Sequence, residues 1–386
     1  MRTSLKPYHL KVRTGEITIG KPLVWDVYDD KGVLLLQTGY IIETSTQLDI
    51  LMSRGIFHIS GQSSDESDVG RYDLQEGIHP FELIDNIYFR LERLICSCTP
   101  ETQKDFPARI MRLCHSLQKA CKQDTDAALS TILLGTAGRY SIKHSIDIAI
   151  ICEVIGQAME MPADERFSMV AAALTENIAM TPLSDILFSQ KAPLNDEQRK
   201  KIDGHPAGGA EMLRSFGVSD QIWINAVLKH HESSDGKGYP AGLQGEAVPP
   251  YARLIAISDF YCAKITGRDY RPPLSSLKAM QYIFPAGDSR IDVSIAELFV
   301  KTLGIYLPGT FLHLKSDQIA VVTHRGEKIH FPIVHVVTGR DGLPLPGPMC
   351  RDTSDPFFGI ARIIPPGKVA IKVNRYQLWD YGEFKK

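Results

Sequence analysis

The segment from Lys229 to Pro240 reads Lys-His-His-Glu-Ser-Ser-Asp-Gly-Lys-Gly-Tyr-Pro, which puts two adjacent histidines, His230 and His231, in front of a glycine-rich turn. Imidazole is the commonest protein ligand for a metal ion. Glycines such as Gly236 and Gly238 let backbone approach a bound ligand closely. Acids stand at Glu232 and Asp235, and Tyr239 offers an aromatic face at the end of the turn. Together these residues point to a metal centre beside a loop that receives a small molecule. A lone His-His pair is more often a solvated helix end, so the metal reading depends on partners elsewhere in the chain.

One such partner is Asp259, which lies in the apolar run that begins Leu254-Ile255-Ala256-Ile257. A buried carboxylate is costly unless it is paired or bound to metal; taken alone, a salt bridge to a neighbouring arginine is the commoner outcome. Local grammar places these groups on helices. Asn195 followed by Gln198 spells a capping box that opens a helix running toward His205. Pro206 stands where a further helix can begin, and Gly217 can end it. Ser219 can cap a helix carrying Ile222, Ala226 and Val227, so His230 and His231 fall in its last turn or just beyond. There the partial negative charge of the helix end favours a cation. Pro249-Pro250 precede a helix reaching about Thr266 and stopped by Gly267.

The run His-His-Glu-x-x-Asp-Gly-x-Gly-Tyr-Pro is matched in full by His230 to Pro240, and the chain here resembles the HD-GYP domains, bacterial metal-dependent phosphodiesterases that act on cyclic di-GMP. Ile186-Leu187, Pro193-Leu194, Glu197, His205-Pro206, Gly209 and Leu213 follow the family pattern before that motif. Ala252-Arg253, Ser258-Asp259 and Arg268-Asp269-Tyr270-Arg271 follow its ending, and Tyr140 to His144-Ser145 resembles its opening helix. The likeness spans about residues 126–305. It implies one metal on His205, His230 and His231, and a second on His144 and Asp259 with two further residues. It also implies that Gly238, Tyr239 and Asp235 belong to the nucleotide loop and that Arg268 and Arg271 face phosphate. The cofactor implied is a transition-metal ion, iron or manganese.

At one place the sequence departs from the family. Where the pattern has Ala-Leu-x-His-Asp-Ile-Gly-Lys, this chain reads Ala173-Leu174-Thr175-Glu176-Asn177-Ile178-Ala179-Met180. Two metals about 3.5–4 Å apart are typically joined by a bridging carboxylate. Asn177 cannot serve as that bridge, because a neutral amide oxygen compensates no metal charge. Glu176 could ligate in place of the family histidine, and Met180 removes a cation near substrate phosphate. The expectation is therefore at most one tightly held ion, on the three-histidine set, and a degenerate catalytic pair at Glu176 and Asn177. Three readings stand: a cyclic di-GMP-binding signalling protein with weak or no hydrolysis, an active phosphodiesterase with a remodelled centre, and a protein-interaction scaffold.

Periodicity divides the 386 residues into four regions. Residues 1–70 show hairpin grammar around Asp29-Asp30-Lys31-Gly32 and a helical stretch near Ser45–Arg54. The polar run 61–68 reads as a linker. Residues 71–125 carry helical apolar spacing and form a connector, 126–305 is the helical domain, and 306–386 returns to strand-like runs at 318–322, 329–334 and 369–373. The fold class expected is multi-domain α+β, a central all-α HD-type bundle flanked by small β-rich modules at both ends. A net charge of −2 argues against a general nucleic-acid binder. The seven cysteines are scattered without CxxC pairs, as in a reducing compartment. No apolar run approaches a membrane span and no signal peptide opens the chain, so a cytoplasmic location is expected. The partner expected is cyclic di-GMP or a related nucleotide; protein partners and a homodimer are left open.

Overall fold

The computed structural model describes residues 9–11, 17, 19–21, 23, 27–28, 34–36, 40–53, 57–59, 78–96, 103, 105–135, 138–268, 271–283, 293–365, 368, 371 and 373–379. The chain forms two compact units, Met1–Gln75 and Glu76–Lys386. The first holds strands β1 (His9–Lys11), β2 (Val27–Tyr28), β3 (Leu34–Leu36) and β4 (Phe57–Ile59), with helix α1 (Ser45–Ser53). Its sheet runs in the order β1-β4-β2-β3, and β2 and β3 pair antiparallel, as the hairpin grammar of the sequence predicts. The expected linker at 61–68 lies outside the described residues.

The second unit is a helical body closed by a sheet. Its helices are α2 (Pro80–Cys96), α3 (Phe106–Gln123), α4 (Thr125–Leu134), α5 (Tyr140–Ala158), α6 (Ala163–Thr175), α7 (Thr181–Ser189), α8 (Asp196–Ser215), α9 (Gln221–Lys229), α10 (Pro250–Ile265), α11 (Ser276–Ile283) and α12 (Val293–Leu303). One apolar core runs through it from Leu91 and Leu117 to Ile151, Val170, Val227, Ile255 and Phe299. Helix α5 is buried nearly all round, because its apolar residues are not confined to one stripe. The helices of the connector share this core with the motif-bearing helices.

Strands β5 (Phe311–Leu314), β6 (Ile319–His324), β7 (Ile333–Thr338), β8 (Pro344–Asp352) and β9 (Ile360–Ile363), followed by α13 (Arg375–Leu378), complete the unit. The sheet is antiparallel in the order β8-β7-β6-β5-β9. Two strand expectations need correction. The run at 329–334 is a strand only from Ile333, because residues 327–330 turn and bend. Of 369–373, residues 369, 370 and 372 lie outside the described set, and Ile371 and Val373 are in no strand. Conversely, β8 went unread because Pro344, Pro346 and Pro348 look like loop chemistry. It is an edge strand, where a missing N–H leaves no neighbour unpaired. Among the described residues, no helix is long and apolar enough to cross a membrane.

Candidate metal centre

Helices α8 and α9 bring three imidazoles to one point. His205 lies within α8, His230 is the C-terminal cap of α9, and His231 follows it. Their donor atoms lie within 4.8 Å of one another. His205 Nδ1 meets the carbonyl oxygen of Ile202, and His230 Nδ1 meets that of Val227 at 2.7 Å. A carbonyl only accepts, so Nδ1 carries the proton in both rings and Nε2 presents a lone pair inward. The two Nε2 atoms stand 3.1 Å apart. Facing lone pairs at that distance call for a cation between them, and a ring anchored through its other nitrogen is how metal-binding histidines are usually held. Burial first, and then the charge of His231, pushes His205 down to about 4. The same causes, with His205, take His230 well below its usual range, and burial lowers His231 as well. All three are therefore neutral near pH 7, the form that ligates. The set fits a transition-metal ion.

The capping box at Asn195 and Gln198 is present, but Pro206 does not begin a helix as the sequence suggests. Helix α8 runs through it, and the left-handed Gly217 lies just beyond the helix end. The N–H of an ordinary residue at 206 would bond to the carbonyl of residue 202. Proline has no N–H, so Ile202 is left to receive His205. Pro206→Ala is expected to return that carbonyl to the backbone and loosen the ring. Metal affinity should fall about 10- to 100-fold, the range seen when such an outer partner is removed, with helix content unchanged. Competition against a chromophoric chelator measures this; equal affinities would deny Pro206 the role. The cap of α9 is also corrected. It is Asp220 rather than Ser219, its carboxylate accepting from the N–H groups of Ile222 and Trp223 at 2.9 and 3.1 Å.

The nucleotide-loop motif divides into anchors and a presented ring. Glu232 is buried, and its oxygens accept from the N–H groups of Ala241 at 2.6 Å and Leu243 at 2.8 Å, so it ties the turn down. A Cβ on Gly238 would lie 2.5 Å from the carbonyl oxygen of His231 and 2.4 Å from the nitrogen of Ser233, which only glycine allows. Tyr239 donates its N–H back to His231 and stacks on that imidazole at 4.7 Å between ring centroids. Asp235 accepts from the N–H of Lys237 at 3.0 Å and shapes the turn; it is not among the cleft-lining residues.

A second group forms beside the first. His144 of α5, Glu176 at the end of α6 and Asp259 of α10 have donor atoms within 4.8 Å of one another. His144 Nε2 lies 2.8 Å from Asp259 Oδ1, so the partner of Asp259 is a histidine and not the arginine expected of a lone carboxylate. Burial pushes the Asp259 carboxyl up, yet the bond and charge of His144, with His231 and His230, outweigh it and hold Asp259 below the usual range. Glu176 is fully buried, and burial followed by Asp259 raises its carboxyl well above normal. Asn177 donates Nδ2 to Glu176 Oε1 at 2.9 Å. Its amide is thus engaged with its neighbour.

These groups open onto a cleft of about 510 Å³ that includes His144, Asn177, His205, His231, Tyr239 and Asp259, a size typical of small-ligand sites. Arg268 lines it and lies over the Tyr140 ring at 5.6 Å. Arg271 does not join the site: its guanidinium donates to the carbonyls of Ala263 and Thr266 and closes the end of α10. Asp269 and Tyr270 lie outside the described residues. Sequence reading missed Lys191, an exposed cation that also lines the cleft. Its loop is fixed by Gln190, which exchanges side-chain hydrogen bonds with Gln198 at 3.1 and 2.7 Å. Gln198 was legible as a cap, but its second use depends on a neighbour brought close by folding.

Residues 133–295 match the family model of the HD domain. A cyclic di-GMP phosphodiesterase of Pseudomonas aeruginosa is 28% identical over 223 residues, 57% of this chain and 54% of that protein. A cyclic di-GMP phosphodiesterase of Vibrio cholerae is 35% identical over 135 residues, 33% of this chain and 27% of that protein. The chain thus spans about half or less of the length of these relatives. The solved structure of an HDG"Y"P protein from Bdellovibrio bacteriovorus overlays with a TM-score of 0.49 at 16% identity, covering 76% of this chain and 99% of that one.

Proposed function

We propose that this chain, whose residues 133–295 match the HD domain family model, is a cyclic di-GMP signalling protein that binds the nucleotide at its metal centre and hydrolyses it weakly or not at all. One observation carries the reading: the centre is asymmetric. The three-imidazole set is complete and neutral, whereas position 177 offers an amide already turned to Glu176. Relatives named as cyclic di-GMP phosphodiesterases support the choice of nucleotide. In this reading residues 126–305 are the working domain, 71–125 the connector, and 1–70 and 306–386 accessory β modules of a cytoplasmic protein.

His205, His230 and His231 would hold the ion, iron or manganese, which supplies charge compensation to a phosphoryl group and lowers the pKa of a bound water. The chain's own contribution is recognition. Tyr239, fixed against His231, offers a ring to a guanine face, a contact worth about 1–3 kcal/mol per base. Arg268 and Lys191, both lining the cleft, would offer positive charge to the phosphates. Calorimetry with cyclic di-GMP is expected to show binding that weakens about 5- to 100-fold in Tyr239→Ala. Smaller losses are expected in Arg268→Ala and Lys191→Ala, shrinking with salt, while His144→Ala changes binding less. The absence of heat at high micromolar nucleotide, with and without metal, would leave a scaffold role in its place.

A second reading, an active phosphodiesterase with a remodelled centre, is favoured by the placement of Glu176 beside His144 and Asp259. Turnover by the metal-loaded protein, followed as loss of cyclic di-GMP, separates the two.

A further inference from the structure

Helix α5 begins at Tyr140, and its cap residue Arg139 carries no acceptor in its side chain, so the helix does not cap itself. The acceptor comes from another helix. Asp185 of α7 takes the N–H of Ser141, in the first turn of α5, on Oδ1 at 3.0 Å. Its other oxygen, Oδ2, lies 3.3 Å from the Arg139 guanidinium, whose Nε meets Glu92 of α2 at 3.3 Å. The Tyr88 hydroxyl, also on α2, accepts the Arg139 N–H at 2.6 Å. Three helices meet at one turn.

That turn carries part of the cleft. Tyr140 lines it, with its ring stacked on Phe188 of α7 at 4.6 Å and on His144 at 5.0 Å. Arg268 lies over the same ring at 5.6 Å, with Nη2 3.5 Å from the Tyr140 hydroxyl. Asp185 is not among the cleft-lining residues. We infer that Asp185 is a positioning residue for the cleft: by capping α5 it fixes Tyr140, and through that ring the guanidinium of Arg268, where a bound nucleotide meets them.

Magnitudes decide which bond of Asp185 matters. The Arg139 side chain is half exposed, and ion pairs in that setting contribute little. The cap acts differently. It satisfies a backbone N–H that has no partner within the helix, and its negative charge faces the positive end of α5. Without it the first turn frays, and ligand binding has to re-order that turn. The loss in affinity is bounded by the worth of a helix cap, a factor of about 2 to 30.

The inference rests on the nucleotide-binding reading, and two measurements separate their failures. Hydrogen exchange of the full-length protein without nucleotide reads the turn, and calorimetry with cyclic di-GMP reads the cleft. In Asp185→Ala the amides of 141–144 are expected to exchange faster while those of α8 and α9 keep their protection, and nucleotide affinity falls within the range above. Asp185→Asn keeps an acceptor oxygen for Ser141 and loses only the charge, so it recovers most of both. In a Tyr140→Ala background, Asp185→Ala lowers affinity no further, since the one residue acts through the other. Unchanged exchange in Asp185→Ala, protection lost throughout α8 and α9 as well, an affinity loss that Asp185→Asn does not recover, or equal losses with and without Tyr140 overturns the inference. No heat from the unaltered protein removes the nucleotide reading instead, and faster exchange confined to 141–144 in Asp185→Ala then still supports the placement of Tyr140 by Asp185.

Discussion

Replacing Glu176 by histidine and Asn177 by aspartate together is expected to raise cyclic di-GMP hydrolysis by about a hundredfold or more. That is the scale on which a single group stabilising charge in the transition state acts. The reasoning is electrostatic. In-line attack on a phosphodiester places charge on the entering and leaving oxygens at once, and two joined ions stabilise both. Position 177 lines the cleft together with His144, His205 and Asp259, so an aspartate there is placed to join the two groups. Asn177→Asp alone should gain less, because the new acid would lie beside the carboxyl of Glu176, which burial, and then Asp259, already hold above its usual range. Initial rates of the metal-loaded proteins, measured by chromatography of the nucleotide, decide the matter. Equal, robust turnover by the unaltered chain would show that the remodelled centre works as it stands.

His230→Ala is expected to abolish stoichiometric retention of the tight ion through dialysis, lowering affinity by at least a hundredfold. A direct ligand should matter more than the outer partners whose loss costs about 10- to 100-fold. The pH dependence follows from the same rings. Burial holds His205 down to about 4, below the usual imidazole range near 6.5, and burial also holds His230 well below that range. Below pH 6.5 the unfolded chain binds protons that the folded centre refuses, so the metal-free protein should lose stability as pH falls from 6.5 toward 4. The loss is on the order of a few kcal/mol. Above pH 6.5 these groups should leave stability flat. Because the folded rings are held neutral below the usual imidazole range, metal uptake should persist at mildly acidic pH before proton competition removes it. Chemical denaturation of the apoprotein across pH 4–8, beside metal retention over the same range, tests both; an apoprotein equally stable at pH 4.5 and 7 would contradict the burial of these imidazoles.

Much of the site was legible because its information is local. The His230–Pro240 motif, the capping box at Asn195, the histidine at 205 and the departure at 176–177 are short-range patterns of residue type. Helix starts and stops around them follow from proline, glycine and capping side chains. The β-rich ends were legible as classes and in part as strands, at the β2–β3 pair and at β6. The prolines of β8 are tolerated only because that strand lies at the sheet edge, which is a property of topology.

What the sequence by itself determined is the inventory: three imidazoles of one set, an amide where a bridge would stand, and a Gly-Tyr-Pro turn after them. What only the tertiary structure decided is which atoms meet. It turned Asp259 to His144 and sent Arg271 to the end of α10. It brought Lys191 to the cleft wall, kept α8 continuous through Pro206 so that Ile202 could orient His205, and left Glu176 Oε2 buried without a partner. These contacts join residues on different helices, or backbone groups whose freedom depends on the helix continuing. Their energies come from burial and partner geometry that side-chain spacing along one chain does not contain.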